Sequence, residues 1–99
     1  MTEICEEMKK LRTMLDEKGI EWKDDSQEFP LAKGDTPLCI HRTHFNYKGE
    51  AVSVINGWGT YGGFDYITEE NQGLLEVMVG WNDPIGCLTA EEVMKEVFG

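Results

Sequence analysis

A chain of 99 residues fits one compact domain with one core, and its 40% apolar content is enough to build that core, which excludes global disorder. There is no apolar run of about 18 residues, so no membrane-spanning helix is expected. The formal net charge of −10 is unevenly placed: residues 49–99 hold nine acids and a single base, Lys95, which opposes direct nucleic-acid binding because phosphate contacts need clustered cations.

The first residues are acidic and lack the basic start and apolar block of a secretory signal, so the expected location is cytoplasmic. Cys5, Cys39 and Cys87 are odd in number and show no paired spacing, and are read as reduced, semi-buried thiols.

In chain order, residues 2–18 are predicted to form a helix. Ile4, Met8, Leu11 and Leu15 recur at helical spacing, Thr2 is placed to cap the start, Glu3, Glu6 and Glu7 suit its positive end, and Gly19 stops it. Residues 20–22 read as a short strand and 23–26 as a polar turn. Residues 27–37, interrupted by Pro30, Gly34 and Pro37, read as a loop with at most a short extended piece.

Residues 38–47 read as a strand with Cys39, His41, Thr43, Phe45 and Tyr47 on one face and Leu38, Ile40, Arg42, His44 and Asn46 on the other. Lys48-Gly49 fits a tight hairpin turn, and residues 50–55 return as a strand with Val52 and Val54 on one face. A glycine- and aromatic-rich loop follows, then Phe64-Asp65-Tyr66-Ile67 and a polar connection over 68–73. Residues 74–79 read as a strand with Leu75, Val77 and Val79 facing one way, although the composition also allows a short helix. Residues 80–86 read as a loop. Thr89 with Glu92 forms a capping box for a last helix, with Leu88 and Val93 at the staple positions. The expected fold is α+β: a small antiparallel sheet of about four strands with an N-terminal and a C-terminal helix packed on it, all in one domain over 1–99.

Three constellations invite chemistry. Cys39-x-His41-x-x-His44 has metal-ligand residue types, but strand alternation points His44 away from the other two, so no metal site is expected unless a bulge intervenes. The same pair, Cys39 and His41, lacks an assignable third group for nucleophilic catalysis. Gly57-x-Gly59-x-x-Gly62 matches the letters of a dinucleotide fingerprint without the helix that should follow it. Neighbouring carboxylates such as Asp24-Asp25, Glu69-Glu70 and Glu91-Glu92 have turn or helix-cap explanations. No catalytic residue and no cofactor is assigned. Trp58, Tyr61 and Trp81 lie in loops, where aromatics serve either as plugs over a core or as anchors for a partner.

Three segments carry a resemblance: Met14-Leu15-Asp16-Glu17-Lys18-Gly19-Ile20-Glu21-Trp22, Val54-Ile55-Asn56-Gly57-Trp58-Gly59-Thr60-Tyr61-Gly62-Gly63, and Pro84-Ile85-Gly86-Cys87-Leu88-Thr89-Ala90-Glu91-Glu92-Val93. Together they resemble small acidic proteins encoded by bacteriophages and prophages. The resemblance implies an accessory protein that binds a host factor or sequesters a small signalling nucleotide, and it transfers no catalytic residue.

The residues themselves favour a non-enzymatic binding protein that meets a protein partner with a basic surface, through its own acidic surface and the Trp58/Tyr61 loop. The alternative is a small-molecule or nucleotide binder, with a pocket at a homodimer interface lined by Asn56, Arg42, His44 and the glycine loop. A small Cys/His enzyme or metal-binding protein is a further alternative. Trp81 completes the expected binding residues.

Overall fold

The computed structural model describes residues 4–29, 38–57, 60, 62–65 and 70–99. Helix α1 spans Glu6–Lys18 and buries Met8, Leu11 and Leu15, the stripe expected from their spacing. It starts later than predicted: Cys5 is the N-cap and offers no side-chain bond, while Thr2 lies outside the described residues. The end is as expected. The Gly19 N–H reaches Asp16 O and the Ile20 N–H reaches Leu15 O, a Schellman closure.

Two short strands follow, β1 (Trp22–Asp24) and β2 (Gln27–Phe29). Both pair antiparallel with the same edge of β3 (Leu38–Tyr47), and in one continuous register, since Asp24 faces Thr43 and Gln27 faces Ile40. The predicted polar turn over 23–26 is therefore a notch within one strand line. Asp24 Oδ1 accepts from the Ser26 N–H, the Ser26 hydroxyl accepts from the Arg42 N–H, and the Asp25 N–H reaches Arg42 O. Side-chain oxygens replace a ladder acceptor there, so the turn residues interrupt the strand without turning the chain.

Strand β4 (Glu50–Gly57) pairs with the whole length of β3 from Ile40 to Tyr47. The hairpin turn at Lys48-Gly49 has φ of 51° and 80°, the signature of a type I′ turn whose twist matches the strands. Strand β4 runs two residues further than predicted, through Asn56 and Gly57. A separate two-stranded ribbon joins β5 (Phe64–Asp65) to β6 (Glu70–Asn71), the latter within the stretch read as a polar connection. Strand β7 (Leu75–Val79) pairs with β4, and β8 (Ile85–Leu88) pairs with β7 across an irregularity at which Cys87 takes φ of 59°. The predicted loop 80–86 thus ends in a strand.

The result is α+β, as expected, but with more strands. Six segments, ordered β1-β3-β4-β7-β8 with β2 beside β1 on β3, make the main sheet rather than about four. Helix α2 (Ala90–Phe98) opens with the predicted capping box at Thr89 and Glu92. Both helices lie on one face of the sheet. Met8, Leu11, Leu15 and Val93 meet Phe45, Val52, Val54 and Val77 in a single core, and Leu88 joins it as the staple predicted. No helix of the described residues is long and apolar enough to cross a membrane.

Candidate functional site

Strand alternation divides the candidate residues between two faces. Cys39, His41 and Thr43 of β3 and Asn56 of β4 are on the helix-covered face and are buried, with His41 directly opposite Asn56. Cys39 Sγ lies 3.4 Å from His41 Nε2. Asn56 Nδ2 donates to Leu74 O at 2.8 Å. Arg42 and His44 point to the other face, as their phase in the sequence dictates. Arg42 donates from Nη1 to Asp25 Oδ2 at 3.3 Å, while its Nε is buried and has no hydrogen-bond partner. The sheet therefore separates Asn56 from Arg42 and His44, and these three do not line one pocket. It also separates His44 from Cys39 and His41, as parity required, and among the described residues no three His, Cys, Asp or Glu side chains are grouped to hold a metal ion.

Thr43 is the hinge of a polar network between α1 and the sheet. Its hydroxyl accepts from Arg12 Nε at 2.8 Å and donates to Met8 Sδ at 3.1 Å. The Arg12 guanidinium also reaches Asp24 and stacks 4.7 Å from the centre of the Trp22 ring, whose indole N–H is held by Asp16 at 2.8 Å. Asp24 is kept below the ordinary carboxylate range, first by the Ser26 hydroxyl, which outweighs the opposing effect of burial, and then, more weakly than either, by the Ser26 N–H and Arg12. Every member has a structural partner, so this network reads as the fastening of α1 onto β1 and β3.

The described residues of the glycine-rich segment are held by the Thr60 hydroxyl and by backbone hydrogen bonds. Thr60 Oγ1 accepts from the Gly57 N–H and donates to Gly57 O, the Gly63 N–H reaches Thr60 O, and the N–H groups of Gln72 and Leu74 reach Gly63 O and Gly62 O. Gly57 passes so close to β3 that a Cβ there would collide with Cys39 O and lie 2.8 Å from Ile40 Cα. Gly62, at φ of 93°, leaves a Cβ only 2.8 Å from Leu74 Cβ and 3.0 Å from Cys87 Cα. Those two glycines are explained by close backbone packing against β3 and β8. Trp58 and Tyr61, the expected anchors of this loop, lie outside the described residues.

Trp81 stands at the turn between β7 and β8 and is fully exposed, at 102% of its reference area. The exposed large apolar side chains of the described residues are Met78, Trp81 and Ile85, and all three belong to this one hairpin. Sequence reasoning found Trp81 but not its neighbours. The signal was present in β7, where Glu76 and Met78 fall out of phase with Leu75, Val77 and Val79 and so must leave the core face. A shallow groove of about 820 Å³ lies elsewhere, between the end of α1 and β1–β3, with Ile20, Trp22, Lys23, His44 and Asn46 among its walls. It contains His44 but neither Asn56 nor the glycine segment.

No protein-family model, no curated protein and no solved structure matches this chain.

Proposed function

We propose that this chain is a stoichiometric binding protein that docks a protein partner through the β7–β8 hairpin, with Trp81 as the anchor. The observation that carries the reading is the full exposure of Trp81 at the turn of the β7–β8 hairpin, whose strands also carry the exposed Met78 and Ile85, one on each face. A tryptophan left entirely in water offers a large apolar face and one N–H donor, the combination that dominates binding energy when a partner covers it. The acids around it set the partner's charge. Asp83 is in the same turn, Glu50 sits against Gly80, and Glu96 lies with Glu50, Val79 and the single base Lys48 at that end of the sheet. A basic surface is therefore steered toward this end of the molecule, and aromatic burial then slows its release. The resemblance to phage-encoded proteins supports a bacterial host as the source of that partner.

The test is affinity capture from bacterial lysate on immobilised wild-type chain and on Trp81→Ala, followed by titration of the captured protein against both. The reading requires a protein retained in one-to-one ratio whose affinity drops at least about tenfold on Trp81→Ala. Equal binding by the two chains removes the hairpin from the interface.

A second reading, binding of a small ligand, is favoured by the groove beside Trp22, Lys23 and His44. With Asp16 and Glu21 also in its walls, it predicts a thermal shift with small polar ligands that is lost in Lys23→Ala with His44→Ala.

A further inference from the structure

The Trp81 turn shares its end of the sheet with the β3–β4 turn, since Val79 pairs with Val52 and the Gly80 N–H reaches Ala51 O. The last turn of α2 lies there too, and a cleft of about 390 Å³ opens between these elements. Wholly buried Val52 and half-buried Val79 and Val97 line it, and exposed Glu50, Glu96 and Lys48 complete it. The Glu50 carboxylate rests in the space that a Cβ of Gly80 would fill, at the foot of the Trp81 turn. Glu96 belongs to the last turn of α2, where the helix dipole favours a positive charge.

The cations already at this end leave those carboxylates alone. Lys48 Nζ stands 5.3 Å from the centre of the Tyr47 ring, and Lys18 Nζ, from α1, 4.8 Å from the centre of the Phe98 ring. Tyr47 and Phe98 themselves meet edge to face at 4.4 Å. Among the described residues neither Glu50 nor Glu96 has a hydrogen bond or an ion pair. The cleft thus joins apolar walls to two unpaired acids.

We propose that this cleft receives a long cationic side chain, arginine or lysine, from the protein partner that Trp81 anchors. The inference rests on the docking reading and gives the partner's basic surface its central residue. Such a side chain has an apolar stem and a charged head. Val79 and Val97 take the stem, and Glu50 and Glu96 take the head. A neutral chain gains only the first contact and a small cation only the second. The volume is near the lower end of the roughly 300–1,000 Å³ of small-molecule sites, which suits one side chain rather than a whole cofactor. Lys48 is the opposing charge, so its removal favours binding.

The test is a titration of the full chain, followed by amide NMR, with acetyl-arginine amide and acetyl-lysine amide as probes at about 0.15 M salt, where distant charges are screened. At least one of the two is expected to give saturable shifts at Val79, Gly80 and Val97 in the millimolar range, and the pair shows which head the cleft prefers. Acetyl-norleucine amide, a stem without a charge, and guanidinium or ammonium, a charge without a stem, should bind at least about fivefold more weakly. Glu50→Gln with Glu96→Gln should weaken the probe at least about fivefold, and Lys48→Ala should tighten it. Glu6→Gln with Glu91→Gln, the same charge change in the first turns of the two helices, should leave it unchanged. All these positions are exposed, and the spectrum reports the fold of each variant directly. Absence of saturable shifts with both cationic probes to about 50 mM overturns the proposal. So does equal binding of the norleucine probe, or equal weakening by the Glu6/Glu91 variant. Trp81→Ala should leave probe binding unchanged, because the indole is not in the cleft wall. A partner whose capture needs Trp81 but ignores Glu50→Gln with Glu96→Gln overturns the cleft and spares the docking reading.

Discussion

Glu7 Oε1 accepts the backbone N–H of Ala90 at 2.8 Å, so an acid in the first turn of α1 caps the first turn of α2. The two residues are 83 apart in sequence. Thr89 and Glu92 satisfy each other's backbone N–H groups, and Glu7 takes the next donor, leaving the buried helix start well supplied with acceptors. The Ala90 N–H is also the main reason the Glu7 carboxyl is held below its ordinary range, with Lys10 adding to the effect against the opposing cost of burial. Replacing Glu7 with Ala is expected to cost about 1–2 kcal/mol, measured by urea unfolding at neutral pH.

The same bond makes stability depend on acid. Glu7 and Asp24 both have carboxyls whose folded-state pKa is lowered. Their contribution is complete above the unfolded-state values of about 4 and is lost as pH falls through the lowered folded-state values. Unfolding free energy should therefore decline between about pH 5 and pH 2, and the decline should be shallower in Glu7→Gln. An unchanged slope in that variant would mean the Glu7–Ala90 bond does not form in solution.

Gly62 and Gly73 have similar reasons to resist substitution, with one difference. Both have positive φ, 93° and 73°, but a Cβ at Gly73 meets nothing within 4 Å, whereas at Gly62 it meets Leu74 and Cys87. Gly73→Ala should cost only the backbone penalty of about 1–2 kcal/mol, and Gly62→Ala clearly more, in parallel chemical denaturation. Equal losses would show that Gly62 is not wedged against β8.

The β3–β4 hairpin could be read from the sequence because ten alternating residues and a Lys-Gly turn all agree. The α2 start was legible for the same reason, since cap, box and staple coincide at Thr89, Glu92, Leu88 and Val93. Strands β5, β6 and β8 have two to four residues, too few for a period to register, and exist because a partner strand fixes them. Asp24 and Ser26 carry turn chemistry that the structure uses inside a strand line. Asn56 shows how one boundary alters a site: ending β4 at Ile55 frees Asn56 to line a loop, whereas continuing to Gly57 puts it in phase with Val52 and Val54, inside the core. Which face the helices cover is a tertiary fact that no local pattern contains.

The three thiols should differ in reactivity. Cys87 is exposed, Cys5 is half-buried and Cys39 is buried beside His41. Burial pushes the Cys5 thiol up, against weaker backbone hydrogen bonds, which lowers its thiolate fraction further. Native-state alkylation followed by peptide mass mapping is expected to label Cys87 first, then Cys5, with Cys39 protected until the chain unfolds. Labelling of Cys39 as fast as Cys87 would mean that the thiol–imidazole pair is open to solvent, and would revive a Cys/His chemistry.

Trp81 gives the sharpest separation of stability from function. Its side chain buries nothing in the free chain, so Trp81→Ala should change unfolding free energy by no more than about 0.5 kcal/mol. Leu75, wholly buried beneath the helices, should lose about 2–5 kcal/mol on truncation to Ala. If Trp81 anchors a partner, its removal weakens capture by an intact fold, whereas Leu75→Ala weakens capture only in proportion to the fraction unfolded. Adding a stabilising condition such as sulfate separates the two, because it rescues Leu75→Ala and leaves Trp81→Ala deficient. A Trp81→Ala chain that loses stability like a core variant would show that the indole is covered in the free protein, and the docking surface would have to be sought elsewhere.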